Sequence, residues 1–327
     1  MSAPLLTVEN LGISFPSEQG RTPIVSTVSL SIRPGETLAL VGESGSGKSM
    51  TALAIMRLVP RPGRIDATSR VLFEGRDLLQ LPVPEMRSVR GSRIGMIFQE
   101  PMTSLNPVTP VGDQVMEVVL LHATLTRAEA RRRVLDQFGR VGIPAPERRF
   151  AAYPHQLSGG LKQRVMIAMA TIMEPRLLIA DEPTTALDAT IRAQILDLIR
   201  NLAATTGTAV LLITHDFGVV NEVADHVAVM YAGQIVEEGK RVEVLSRPRH
   251  PYTQGLLNSI PRPEARGSKL TEIKGVVPRP GFWPQACRFH TRCPKAFDRC
   301  SIDTPVRTAV SSTHGAWCHL VEQEMGR

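Results

Sequence analysis

The chain has 327 residues, 43% of them hydrophobic and 21% charged, with 38 Lys and Arg against 31 Asp and Glu for a formal charge of +7. That balance gives ample apolar material for a packed core, in one large domain with an appendage or in two modest ones, and argues against a disordered chain. A surplus of 7 over 327 residues is too dilute to signal nucleic acid, and Arg131-Arg132-Arg133 reads as a solvated helix face. Apolar runs such as Ala209–Ile213 are strand-sized, far short of the ~20 residues of a spanning helix. The opening Met1-Ser2-Ala3-Pro4 lacks the basic-then-apolar pattern of a secretory signal. A cytoplasmic chain is therefore expected, with any membrane role exercised through partners. All four cysteines lie from Cys287 to Cys318, which in a reducing compartment favours a metal site over disulfides.

In chain order, residues 5–15 and 24–32 read as strands, and Arg33-Pro34-Gly35-Glu36 as a tight turn. Thr37–Val41 is a compact apolar run, as expected of a strand buried on both faces. Glycine-rich residues 42–47 follow, then a helical stretch from Ser49 to Leu58. Residues 112–142 read as helical with a charged middle. Leu177–Ala180 is a second buried strand, ending at Asp181-Glu182. A helix over 190–204 leads to a third strand, 209–214. Strands alternating with helices predict an α/β domain around a mainly parallel sheet, whose ligands bind beyond the carboxyl ends of the strands. After about Pro248 prolines recur and periodicity fades. A domain over 1–248 and a small irregular Cys-containing C-terminal module over 249–327 are therefore expected.

Gly42-Glu43-Ser44-Gly45-Ser46-Gly47-Lys48-Ser49 fits the phosphate-loop pattern G-x-x-x-x-G-K-[ST]. Glycines let successive N–H groups face phosphate oxygens, and the helix that follows adds its positive end. Lys48 would place a point charge at the β- and γ-phosphates, and Ser49 a hydroxyl on Mg²⁺. Residues 42–49, with Met50 after them, are thus the candidate ATP-binding loop of a P-loop NTPase. Paired acids at a strand end are commonly just solvated. Downstream of a phosphate loop, however, Asp181 would hold Mg²⁺ and Glu182 would polarise the attacking water.

Further segments carry a more specific resemblance. Leu157-Ser158-Gly159-Gly160-Leu161-Lys162-Gln163-Arg164 is similar to the LSGGQ signature, with Leu161 in place of Gln. Phe98-Gln99-Glu100-Pro101 stands where a Q-loop falls, Ala186-Leu187-Asp188 resembles a D-loop, and His215 in Ile213-Thr214-His215-Asp216 a switch histidine. In this order the set resembles the ATP-binding subunits of ABC transporters, over nearly the whole chain. The resemblance implies an ABC-type nucleotide-binding domain with a mixed sheet and a helical subdomain at about 100–165. It implies that Phe15 stacks on adenine, although a Phe ending a strand also serves as core. Gln99 would touch Mg²⁺ and report to the membrane subunits, Glu182 would be the catalytic base, and His215 would contact the γ-phosphate. Ser158, Gly159 and Gly160 would close over ATP bound to a partner subunit, and Asp188 would lie at the dimer interface.

Phe98–Pro107 and Pro248–Thr253 resemble the corresponding segments of ATPases serving dipeptide and oligopeptide importers. The implied function is ATP hydrolysis powering peptide uptake at the cytoplasmic face of the membrane. Partners would be a second ATPase (a different chain or a copy), two permease subunits and an external solute-binding protein, without nucleic acid. The alternatives are an importer of nickel or another small solute and a soluble, non-transport ABC ATPase. The DNA-maintenance class inserts a long coiled coil where only 108 residues separate Ser49 from Ser158, and the translation class carries two cassettes where this chain has one. Cys287, Cys293, Cys300 and Cys318 are spaced C-x5-C-x6-C-x17-C, unlike common zinc ribbons. The resemblance suggests that they hold a [4Fe–4S] cluster, with zinc as the alternative.

Overall fold

The computed structural model describes residues 3–18, 20–99, 104–185, 187–260 and 272–326. Glu100–Thr103 of the Q-loop segment, Ala186 of the D-loop and two of the recurring prolines, Pro261 and Pro263, lie outside the described residues. The chain divides into two compact units, one drawn from 1–5, 32–36 and 80–213, the other from 6–31, 37–79 and 214–327. Among the described residues no helix is long and apolar enough to cross a membrane.

The first unit carries three parallel strands. Ile94–Ile97 pairs with Leu177–Asp181, Ile94 opposite Leu177, and Leu177–Asp181 pairs with Ala209–Thr214, Asp181 opposite Ile213. Every residue of Leu177–Asp181 is buried. That is why these strands read as unbroken apolar runs rather than alternating ones.

Around them lie helices Val111–His122, Arg127–Arg140, Pro146–Phe150, Gly159–Thr171 and Ala189–Thr206. The single helical stretch expected over 112–142 is therefore two helices. Ala123 is extended, with φ −135° and ψ 142°. Thr126 then opens a new helix with a reciprocal cap: its N–H donates to Glu129 Oε2 at 2.8 Å, and Glu129 N–H donates back to Thr126 Oγ1 at 3.3 Å. The Thr-x-x-Glu spacing that signals such a start was legible in the sequence and was read through. The helices bury Val115, Val119, Val134, Phe138 and Phe150. Gln137 donates to Thr171 Oγ1 at 2.8 Å within this core. The arginine run is only partly a solvated face. Arg131 lies 4.2 Å over the Phe150 ring, and Arg133 donates to Ile172 O at 2.7 Å.

The second unit contains two sheets. The first joins Leu6–Ser17 and Gly20–Ile32 with the short strands Arg64–Ile65, Arg70–Phe73 and Arg76–Asp77. The second runs, in spatial order, Arg307–Ala309, Gly315–Trp317, Gln234–Lys240, His226–Tyr231 and Thr37–Val41. Only the last pair is parallel, with Ala39 opposite Val227, so the sheet is mixed, as expected for this fold. The C-terminal segment is less irregular than its prolines suggest. Two of its strands extend the sheet, with Ala316 opposite Glu237 and Gly315 opposite Glu238. Three-residue strands are too short to show a period of two in sequence.

The same segment joins the core. Phe289, Cys287 and Cys300 are buried with Val41, Val227, Val229, Tyr231 and Tyr252. Tyr231, Tyr252 and Phe289 form an aromatic trio with ring centroids 4.6, 5.2 and 5.3 Å apart. Beside it Glu237, fully buried, accepts from the N–H groups of Arg249 at 2.7 Å and His250 at 3.0 Å, and bonds His314 Nε2 at 2.7 Å.

His250 Nδ1 accepts from Tyr252 N–H at 3.1 Å, capping the helix Pro251–Asn258. Burial pushes the His250 pKa down from 6.5 to about 4, against the opposing pull of Glu237. The unfolded chain therefore binds more protons between those values, and stability falls as pH drops from about 6.5 towards 4. His250→Asn, which retains a capping acceptor, is expected to flatten the pH dependence of the thermal midpoint across this window. An unchanged pH slope in the variant would assign the acid sensitivity elsewhere.

Candidate nucleotide-binding and hydrolysis residues

In the second unit, the buried strand Thr37–Val41 runs into the phosphate loop. Gly42 has φ +154°, and a Cβ there would lie 2.1 Å from Met230 O, so backbone occupies the space a side chain would need. Gly47 has φ +103° and caps the helix Lys48–Ile55. Ser44 and Gly45 are exposed at the loop's tip, Glu43, Ser49 and Met50 are half-buried, and Ser46 is fully buried. Gly233 N–H donates to Ser46 O at 2.9 Å. Lys48 is 5% exposed and folds back over the loop, its Nζ donating to Gly42 O at 2.8 Å and Glu43 O at 3.0 Å. A buried ammonium ringed by loop carbonyls is a preformed cationic floor for phosphate.

Two further expected residues belong to this unit. Phe15 is half-buried near the end of its strand, and a Cβ on Gly63 would lie 2.5 Å from its Cζ. The ring thus packs directly on the Gly63 backbone. His215 is exposed in the turn before the helix Phe217–Val223. Its neighbour Asp216 caps that helix, accepting from Gly218 N–H at 2.8 Å.

In the first unit, Asp181 is 4% exposed at the end of Leu177–Asp181. Glu182 follows with φ +47°, a left-handed backbone rare for a non-glycine residue, and its N–H donates to Ile213 O at 2.9 Å. Such a conformation costs on the order of 1–3 kcal/mol and persists only where surrounding structure holds it. Its carboxylate is aimed by two donors onto Oε2, Gln99 Nε2 at 3.2 Å and Thr185 Oγ1 at 2.8 Å. Gln99 and Glu182, 83 positions apart, are thus brought together. Thr185 was not singled out in the sequence, although its position three residues after an acid is a signal that could have been used.

Ser158 caps the helix Gly159–Thr171, and no acid occupies its first turn. Its exposed N-terminus is therefore open to an anion. A Cβ on Gly160 would lie 3.0 Å from Ile191 Cγ2, and one on Gly159 would lie 3.9 Å from Leu187 Cδ2. The signature glycines thus pack against the segment around Asp188. Asp188 has a local task of its own: it caps Ala189–Thr206, accepting from Ile191 N–H at 3.0 Å.

Residues 25–185 match the family described as ABC transporter, and residues 236–300 match the oligopeptide/dipeptide transporter C-terminal region. The chain is 48% identical over 319 residues to the dipeptide transport ATP-binding protein DppD of Bacillus subtilis (strain 168), across 98% of this chain and 95% of the relative. It belongs to the ATP-binding proteins of the ABC transporter family. It is also 48% identical to the oligopeptide transport ATP-binding protein AppD of the same organism, across 98% of each chain. Among solved structures it resembles the dimeric ATP-binding cassette MJ0796 bound to ADP and Pi, with a TM-score of 0.65 and 27% identity. That likeness covers 72% of this chain and 98% of the cassette.

The cysteines of this ABC protein lie in its C-terminal segment, partly within its core. Cys287, Cys300 and Cys318 are buried and Cys293 half-buried, none of them in a disulfide. Burial pushes the Cys287 thiol up to about 11 and raises Cys293 and Cys318, with the neighbouring cysteines adding to the effect. Among the described residues no three His, Cys, Asp or Glu side chains gather as a metal-binding group. Cys287 and Cys300 are buried with Phe289 and Tyr252, Cys293 packs against the same cluster, and Cys318 packs with Ala316 and Val321.

Proposed function

We propose that this chain binds and hydrolyses ATP to power uptake of dipeptides or oligopeptides through partner membrane subunits. The observation that carries the reading is the match of residues 236–300 to the oligopeptide/dipeptide transporter C-terminal region, in a chain whose curated relatives are named for peptide transport. The proposed arrangement is a 1–248 motor with a 249–327 extension, seated on the cytoplasmic face of the membrane.

Roles are proposed residue by residue. Gly42–Met50 bind the phosphates, with Lys48 supplying the fixed charge, and Phe15 meets the adenine. Ser49, Gln99 and Asp181 are the proposed ligands of Mg²⁺, which when bound neutralises charge developing between the β- and γ-phosphates. Glu182 takes the proton from the attacking water, Thr185 and Gln99 fix its rotamer, and His215 contacts the γ-phosphate. Ser158, Gly159 and Gly160 present a helix N-terminus to ATP held by a second ATPase, and Asp188 lies at that contact. The dimeric cassette among the structural relatives supports the pairing.

Affinity purification of the tagged chain from gently solubilised native membranes tests the transport reading. Two polytopic membrane subunits, a second ATPase and a solute-binding protein for peptides are the expected companions. A chain recovered alone, or with ribosomes or DNA, would retain the ATPase assignment and lose peptide uptake. The iron–sulfur expectation stands as a separate proposal. Its support is four cysteines within a 32-residue stretch, set against the side-chain arrangement described above. About four iron atoms and matching sulfide per anaerobically purified chain would support it. Stoichiometric zinc, or no metal, would overturn it.

A further inference from the structure

The second residue of the phosphate loop is gripped by the C-terminal segment. Arg292 donates from Nη1 to Glu43 Oε2 at 3.0 Å and from Nη2 to Glu43 Oε1 at 3.3 Å, a two-pronged pair. The arginine side chain is only 6% exposed, against 27% for the glutamate. Its guanidinium is itself fixed to backbone, donating to Lys274 O at 3.0 Å and Gly275 O at 3.3 Å. Such a fork holds both the direction and the distance of a carboxylate, which a lysine cannot do. A second grip falls on the same residue: Glu43 N–H donates to the buried Tyr252 Oη at 2.9 Å. Glu43 O in turn accepts from Lys48 Nζ at 3.0 Å. A continuous chain of contacts therefore runs from Arg292 through Glu43 to the ammonium on the loop's floor.

An independent contact braces the loop's other side. Ser46 O accepts from Gly233 N–H. The Ala232-Gly233 turn is held by the tail, since Arg288 Nη1 donates to Ala232 O and a Cβ on Gly233 would lie 2.3 Å from Trp283 Cη2. Arg288 stacks 3.9 Å over Trp283, closing the brace.

We infer that the C-terminal segment is a positioning element of the phosphate loop, with Arg292 as its positioning residue acting on nucleotide affinity through Glu43. The inference rests on the reading of residues 42–50 as the nucleotide-binding loop. It gives the extension a task in the motor's own site, separate from any metal or partner it holds.

The test is MgADP binding by calorimetry and steady-state ATP hydrolysis with the full-length chain and its Arg292→Met, Arg292→Lys and Glu43→Gln variants. Arg292→Met is expected to weaken MgADP binding and raise KM for MgATP by about ten- to a hundredfold, with kcat little changed, because a loop displaced by a fraction of an ångström loses aligned donors. Arg292→Lys, which keeps the charge and loses the fork, should fall between. Glu43→Gln leaves the tail untouched and should weaken binding in the same sense, and the double variant should be no worse than the more severe single one. A merely structural arginine would lower the thermal midpoint and leave KM and the Kd of the folded protein unchanged. MgADP affinity equal to the parent's in Arg292→Met or in Glu43→Gln would overturn the inference, as would additive effects in the double variant. If the parent binds MgADP and Lys48→Met abolishes that binding, such a failure touches this inference alone. A parent chain that does not bind MgADP overturns both it and the loop reading beneath it.

Discussion

Glu182→Gln is expected to lower ATP turnover by about 10²–10⁴-fold while leaving ATP binding intact. The amide occupies nearly the same volume and can still accept from Thr185 Oγ1, which holds Oε2 at 2.8 Å. What it loses is basicity at a group whose backbone, at φ +47°, is held in an uncommon conformation. Single-turnover hydrolysis and equilibrium ATP binding, measured on the same preparation of assembled transporter, separate the two effects. Turnover within tenfold of the parent would remove Glu182 from the role of base. A parallel loss of binding would recast it as part of the nucleotide site.

Lys48→Met is expected to fail one step earlier, at phosphate binding. The ammonium is 5% exposed and meets two loop carbonyls, Gly42 O and Glu43 O. Methionine fills similar space but removes both the charge offered to phosphate and the crosslink that shapes the loop. Loss of one preorganised donor to a transferring group is worth about 10²–10³ in rate. This lysine also acts in the ground state, so the expected outcome is loss of detectable MgADP binding together with at least that loss of turnover. The thermal midpoint without nucleotide distinguishes this from unfolding. An unshifted midpoint with absent binding supports the assignment, and near-parental binding refutes it.

The two variants probe opposite ends of one reaction coordinate. On the proposed roles, the lysine would act on the substrate's standing charge, whereas the glutamate would act on the proton of the attacking water. Of the two, Glu182 should leave ATP bound and uncleaved, and Lys48 should leave the site empty. A transporter carrying Glu182→Gln should therefore accumulate in its nucleotide-bound assembly, which size analysis with and without MgATP would detect.

Chemistry written in short contiguous stretches was legible from sequence alone. Gly42–Ser49 had to curl because its glycines permit what Cβ atoms forbid, and Leu177–Asp181 had to be a buried strand because an unbroken apolar run has no solvent face. That Ser158 and Asp188 also cap helices, each side-chain oxygen satisfying an otherwise unbonded N–H, emerged only from the fold. Local signals were also misread where a stronger pattern overlay them, as at Thr126, whose capping box divides two helices within one helical composition. Folding alone decided what distance along the chain conceals. Glu43 meets Arg292 249 positions later and Tyr252 209 positions later, and no spacing rule connects them. The strand Gly315–Trp317 gained its place by pairing with Gln234–Lys240 and Arg307–Ala309, since three residues carry no periodicity of their own. The four cysteines show the same limit from the other side. Their proximity in sequence suggested a common ligand, and folding keeps them electrostatic neighbours, Cys300, Cys318 and Cys293 all raising the Cys287 thiol, yet among the described residues no three of them gather as a metal-binding group. Sequence fixes which groups can do chemistry through local backbone and residue type, while long-range packing fixes which of them face one another.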